Sequence, residues 1–372
     1  MEKYENSSVE TNFTGKDVCC EKGLMSATVN SNMLILTVDD VLNTYPAYEA
    51  ESARKYFEYL KLKEENPTFG YKRLAKMLGV SISRTRCWKQ WDGKPTSVLV
   101  IKKLTEAKVL PLYSDNSQLP AILRLLGAGF TDGGIDKNLN TFHFNSARME
   151  NIEAWKKDFL EVFPYGEETL SAIITGRNKT SIGVRTTDRS IVRFFSALGC
   201  PVGNKTMVSY ELPNWLFQQP TEIKAAFLDG FFSGEVSVPP VGFCLSLSKI
   251  LEKEIEHMAF LRQVCEFCRS VGIKHTSIGM VEQKPKRKDG RICDSYRILF
   301  STLPENLLRT YYLIPLTYAV EKKRRFDKFM ARHAKKEAAP IKTSSATIPI
   351  DAINNLPEDK KQESSQAQSL VL

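Results

Sequence analysis

Two stretches decide the fold: Ile122-Leu123-Arg124-Leu125-Leu126-Gly127-Ala128-Gly129-Phe130-Thr131-Asp132-Gly133-Gly134-Ile135, and Ile223-Lys224-Ala225-Ala226-Phe227-Leu228-Asp229-Gly230-Phe231-Phe232-Ser233-Gly234-Glu235-Val236. Each reads as an apolar helix broken by small residues and closed by glycine and an acid. Gly230 follows Gly127 by 103 residues (230 − 127), and Glu235 follows Asp132 by the same 103 (235 − 132). Equal offsets argue for internal duplication.

The flanking sequence repeats as well. After Asp132 come a β-like run Thr141 to Phe144, a helix through Trp155 and Phe159, a β-rich stretch Ser171 to Thr186, and a helix Ser190 to Leu198. After Glu235 come Val241 to Leu247, a helix Ile250 to Val271, strands over Lys274 to Met280 and Ser295 to Phe300, and helical sequence from Asn306. Each half therefore reads helix, two strands, helix, two strands, helix. The expected class is α+β, with pseudo-symmetric αββαββα halves over residues 118–205 and 206–336 and their two sheets side by side.

Ahead of the duplication, residues 49–112 read as a small all-α domain of helix-turn-helix type. Tyr56, Phe57, Leu60 and Leu62 mark one helix, and Gly70 to Leu78 a second that Gly79 stops. Ser81 or Ser83 can then cap a third helix, and Ser97 to Leu110 a closing one. Ala75, Leu78 and Val80 are its packing residues, leaving Arg84, Arg86 and Lys89 to face nucleic acid. Residues 1–48 carry little signal beyond Met33 to Leu36. The Lys, Ser, Gln and Ala composition of 337–372 reads as a disordered tail.

Small residues within an apolar helix let a second backbone approach, a role that Gly127, Gly129, Gly230 and Gly234 fit. Packing of the two helices would bring Asp132 and Glu235 together at their C-terminal ends, where the helix dipole disfavours an acid. A divalent cation answers that cost, and oxygen ligands suit Mg²⁺ or another hard ion. Such an ion beside a phosphodiester activates water and stabilises the leaving oxygen, so phosphodiester hydrolysis is the natural chemistry.

In these residues the sequence resembles the LAGLIDADG, dodecapeptide or DOD-type, homing endonucleases, in their single-chain two-motif form. Leu125 to Gly133 and Leu228 to Val236 match the nine-residue motif, with Asp132 and Glu235 at its metal-binding and catalytic position. Leu198 to Thr206, followed by Leu212-Pro213-Asn214-Trp215, looks like the linker before the second motif in archaeal and intein-type members. The resemblance covers about residues 118–330. It implies a DNA-binding saddle of two antiparallel sheets, double-stranded DNA as partner, a monomer acting as an internal pseudo-dimer, and intron or intein mobility as context.

Two basic hairpins fit that expectation. Lys284, Lys286, Arg287, Lys288 and Arg291 fall between strands of the second half, and Arg177 and Lys179 take a comparable place in the first. The run Lys322-Lys323-Arg324-Arg325 reads as the edge of a basic helix. Val236 departs from the glycine that ends the motif, and its branched side chain is expected to widen the helix packing or move Glu235. The family often places a lysine near each metal, and no motif locates one here.

Composition sets the outer limits. The 372 residues hold 52 Lys and Arg against 43 Asp and Glu, a formal charge of +9 that favours polyanionic partners. No apolar run reaches membrane-helix length and the polar start is unlike a signal peptide, so a cytoplasmic, nucleoid-associated protein is expected. The eight cysteines are scattered, and the lone pair Cys265 and Cys268 lies in an apolar-periodic helix rather than a zinc site. Neither a Cys or Ser start nor a terminal Asn frames the chain, so self-splicing is not expected. The leading expectation is a sequence-specific DNA endonuclease. The alternatives are a non-catalytic DNA-binding regulator on the same scaffold, and an RNA-binding intron maturase.

Overall fold

The computed structural model describes residues 32–175, 181–284 and 290–337. Helices span Val38–Leu42, Ala47–Glu65, Tyr71–Leu78, Ile82–Gln90 and Thr96–Glu106. Strand Leu34–Leu36 pairs antiparallel with Leu112–Tyr113 and closes this helical unit. The unit thus begins before residue 49, a position that falls inside its second long run. Gly79 ends Tyr71–Leu78 in the left-handed region at φ 65°, where a side chain would be strained. The Ser81 hydroxyl then accepts the Arg84 N–H at 3.2 Å and starts the next helix. Leu74, Ala75, Leu78 and Trp88 are buried, and the rings of Tyr56 and Tyr59 each lie 5.4 Å from that of Trp88.

The α+β duplication follows. The first half runs through helix Leu119–Phe130, strands Gly133–Ile135 and Phe142–Ser146, helix Met149–Val162, strands Leu170–Thr175 and Ser181–Thr186, and helix Arg189–Ala197. The second runs through helix Thr221–Glu235, strands Val236–Ser237 and Cys244–Ile250, helix Glu254–Ser270, strands His275–Lys284 and Cys293–Phe300, and helix Pro304–Leu313. A last helix, Val320–Glu337, has no counterpart in the first half. Each half builds a four-stranded sheet in which the first strand pairs with the second, the second with the fourth, and the fourth with the third, all antiparallel.

Strand alternation sorts the two faces of each sheet. Phe142, Phe144 and Val184 in one half, and Leu245, Leu247, Tyr296 and Ile298 in the other, are buried. The intervening positions, His143, Asn145 and Arg185 in the first sheet and Ser246, Ser248 and Arg297 in the second, occupy the opposite face. The core is continuous between halves, with the Phe130 ring 5.5 Å from that of Phe227 and 6.3 Å from that of Phe260. Cys265 and Cys268 are both buried on helix Glu254–Ser270.

The helical unit is docked on the first half. Lys103 Nζ reaches the Asp188 carboxylate at 2.8 Å. Arg193 donates to the Thr44 carbonyl and lays its guanidinium 4.1 Å from the centre of the Tyr45 ring.

Candidate active site

The long helices Leu119–Phe130 and Thr221–Glu235 cross at their glycines. A Cβ on Gly127 would lie 2.2 Å from the Phe227 carbonyl oxygen, and one on Gly230 only 1.9 Å from that of Arg124. Farther along, a Cβ on Gly234 would lie 2.4 Å from Thr131 Oγ1 and 3.2 Å from the Asp132 amide nitrogen. Without side chains at these points the backbones themselves are in contact, and the two C-terminal ends meet. Gly129 is different from expectation. Its Cβ would strike Cys200 Sγ at 2.6 Å, so it admits the segment that follows helix Arg189–Ala197 rather than the partner helix.

Val236 also behaves unlike the expectation. It leaves the helix in extended conformation, φ −78° and ψ 137°, buries its side chain, and pairs with Leu245 as the first residue of its strand. It therefore stands outside the helix contact and does not wedge the helices apart. In the first half a Cβ at Gly133 would meet the His143 carbonyl oxygen at 2.6 Å, which is why the two copies differ here.

Asp132 follows its helix by one residue after Thr131, while Glu235 is the last residue of its own. The Asp132 side chain is solvent-accessible at the mouth of a cavity of about 390 Å³, whose walls include Asn145, Arg148, Ser233, Lys322 and Arg325. Surrounding protein raises the Asp132 pKa by desolvation, and Lys322 and Lys205 oppose that rise.

These two lysines are the site residues that sequence reasoning did not place. Lys205 donates to the carbonyls of Gly129, at 3.1 Å, and of Thr131 and Gly133. Lys322 donates to the carbonyls of Ser233, at 2.8 Å, and Gly234, at 2.5 Å. Each motif helix thus ends on an ammonium, which satisfies orphan carbonyls and suits the negative end of the dipole. Burial pushes the Lys205 pKa down to about 8 against the opposing pull of Cys200, Glu235 and Asp132. Burial likewise lowers that of Lys322, again opposed by Asp132 and Glu235. Both acids and both lysines therefore share one electrostatic site.

The lysines are presented crosswise. The Lys205 carbonyl accepts Lys249 Nζ at 2.7 Å and the Thr206 carbonyl accepts the Ile250 N–H at 3.0 Å, so the second sheet holds the backbone whose side chain caps the first helix. Conversely, the Val320 N–H donates to Asn151 Oδ1 at 3.0 Å and Tyr318 Oη donates to Asp158, so the first half holds the backbone that sends Lys322 to the second helix. Neighbouring Lys323 and Arg324 instead pair with Asp327 at 3.0 Å and Glu150 at 3.3 Å.

Other expected residues lie elsewhere. Arg84, Arg86 and Lys89 are exposed on helix Ile82–Gln90 of the helical unit. Lys89 Nζ donates to the Phe69 carbonyl at 2.9 Å, and Arg86 Nε to Gln90 Oε1 at 2.7 Å. Lys284 ends strand His275–Lys284 in register with Cys293, and Arg291 precedes the next strand. Arg177, Lys179, Lys286, Arg287 and Lys288 lie outside the described residues, between strands that the structure does describe. The outer sheet faces add two arginines: Arg185 Nε reaches Ser171 Oγ at 3.4 Å and Arg297 Nε reaches Ser246 Oγ at 3.2 Å. Their signal was the polar half of the strand alternation.

No protein-family model matches the chain. Among curated proteins it is 29% identical over 242 residues to the tRNA-splicing ligase RtcB of Pyrococcus abyssi, a match covering 60% of this chain and 25% of that protein. It is 27% identical over 214 residues to the DNA-directed RNA polymerase subunit Rpo1N of Methanocaldococcus jannaschii, covering 51% of this chain and 16% of that one. A match to the replication factor C small subunit of the same organism is 23% identical and covers 45% and 10%. The chain thus spans a quarter or less of these relatives. Among solved structures, I-DmoI in complex with DNA and Ca aligns at 13% identity and TM-score 0.39, covering 55% of this chain and 99% of that one. The homing endonuclease I-DmoI in mesophilic variants aligns at 13% identity and TM-score 0.37, covering 54% and 91%. The α+β class rests on the element order and strand pairing above. Among the described residues no helix is long and apolar enough to cross a membrane.

Proposed function

We propose that this protein is a divalent-cation-dependent endonuclease of double-stranded DNA, with Asp132 and Glu235 as its cation ligands. The observation that carries the reading is the meeting of two duplicated helix ends at Gly127, Gly230 and Gly234, each bearing an acid, beneath a pair of antiparallel sheets. Among the described residues no three His, Cys, Asp or Glu side chains gather, so a dedicated protein cage is not the design. Two carboxylates beside backbone carbonyl oxygens are hard donors that fit an Mg²⁺-like ion, with water and a nucleic-acid phosphate completing its shell. Such an ion, when bound, supplies Lewis acidity that lowers the pKa of water and stabilises the departing oxygen.

The chain's own residues supply the rest. Arg185 and Arg297 on the outer faces can receive phosphate or base edges. Lys205 and Lys322 add positive charge where a phosphate would approach the acids. The helical unit, held by Lys103 and Arg193, extends the surface along the duplex, with Arg84 and Arg86 exposed on its helix Ile82–Gln90.

The names of the relatives support the same reading indirectly. About half of this chain recurs as a small part of proteins named for RNA ligation, transcription and replication. Such a segment is common to none of those activities, as an element that moves between genes would be. Ligase or polymerase chemistry is therefore not carried over.

The test is cleavage of a randomised duplex library with Mg²⁺, comparing the native chain with an Asp132→Asn, Glu235→Gln double variant. One enriched long site, cut by the native protein alone, is expected. Binding without cutting by both proteins would replace the nuclease with a DNA-binding regulator.

A further inference from the structure

The described interactions leave a chemical conflict at the helix ends. A cation entering beside Asp132 and Glu235 needs oxygen donors, and the nearest backbone donors are already bonded. Lys205 holds the carbonyls of Gly129, Thr131 and Gly133, which uses all three of its N–H donors. Lys322 holds those of Ser233 and Gly234. Two ammonium groups stand beside the two carboxylates, and Arg148 and Arg325 add further positive charge to the cavity wall. Each lysine is anchored to the opposite half through its own or a neighbouring backbone group, so its ammonium is the only part that must move.

We infer that Lys205 and Lys322 are resident counter-cations of the acid pair, occupying the carbonyl oxygens that a divalent cation would use, so that cation entry requires each ammonium to leave. The inference rests on the reading of Asp132 and Glu235 as cation ligands. Removing a lysine would free carbonyl donors and delete a like charge, and both changes favour the incoming ion. It would also remove a brace between halves.

The test is titration of the full chain with Ca²⁺ in a calorimeter, without DNA, for the native protein, Lys322→Met and Lys205→Met. Each variant is expected to bind Ca²⁺ about tenfold or more tightly than the native protein. Each should also melt lower than the native protein in chelator and regain more on adding Ca²⁺. Adding Asp132→Asn to Lys322→Met should abolish that variant's gain. Equal or weaker Ca²⁺ binding by the variants overturns the inference and leaves the acids as ligands. Absence of Ca²⁺ binding in all of them overturns both. Normal Ca²⁺ competition in a protein that cuts no DNA would sink the nuclease reading alone. On the native chain, a crystal soaked in Mn²⁺ should show both ammonium groups off the carbonyls; lysines still seated there beside bound Mn²⁺ would refute the displacement even if a variant failed to fold.

Discussion

At Gly230 an added Cβ would sit 1.9 Å from the carbonyl oxygen of Arg124, and the obstacle is backbone that no rotamer change can move. Gly230→Ala should therefore separate the helices and cost about 3 kcal/mol or more. Gly70, with nothing within 4 Å of the same atom, provides the comparison; Gly70→Ala should stay within about 0.5 kcal/mol. Urea midpoints of the two variants measure the contrast, and equal midpoints would mean that the crossing is looser than described. A second residue reports on pH. His257 is buried, and burial with the nearby Lys249 pushes its pKa down to about 4, opposed by the neighbouring Leu247 backbone. The unfolded chain then binds the extra proton between about pH 6.5 and 4 while the folded one does not, so stability falls as pH drops through that window. The loss should approach roughly 3 kcal/mol. His257→Leu should flatten this part of the stability curve, and an unchanged slope would assign it to other groups.

Between residues 314 and 322 the chain acts as a strap across the two halves. The Thr317 N–H donates to Asp229 Oδ1 at 2.8 Å, and Tyr318 Oη donates to Asp158. Arg124 secures the same Asp158 at 2.6 and 2.8 Å. Removing one donor from this buried cluster leaves a carboxylate short of a partner, so Tyr318→Phe should cost about 1–3 kcal/mol, read from its urea midpoint. No change would show that the strap is held by its backbone contacts alone. The helices and strands of this duplication were legible because their periods are local and the two copies agree. The close approach of the two motif helices at Gly127, Gly230 and Gly234 was legible for the same reason. Lys205 and Lys322 were not, since each reaches a helix end far away in sequence and a long side chain leaves no periodic trace. Lys322 also stands in a run of four basic residues, of which it and Arg325 line the cavity at Asp132 while Lys323 and Arg324 pair with acids elsewhere. Gly129 shares the spacing of a contact residue, yet its helix turns it toward Cys200, which the motif could not reveal.

Across the whole molecule the duplicated sheets present unlike faces. The outer row nearest the first acid is Asn145, Gly183 and Ile173; the row in the matching register of the second sheet is Ser246, Arg297 and Gly279. A target read by such faces should have dissimilar half-sites. Arg185→Ala is expected to relax base preference in one half-site, at about 1–3 kcal/mol if the contact is bidentate. Selection from a randomised duplex pool checks it, and symmetric relaxation in both half-sites would count against the assignment. Binding as a whole should weaken steeply with added salt, with a slope set by the phosphates contacted, and a flat response would remove the backbone-tracking surface. The crosswise lysines bear on the order in which the chain is made. Domains emerge and fold from the N-terminus during synthesis. Because Lys205 is held by a sheet that emerges after it, and Lys322 follows both sheets in the chain, both acids emerge well before their ammonium partners are in place. A chain cut before residue 320 would carry both sheets and both acids and still lack the ammonium that caps the second motif helix.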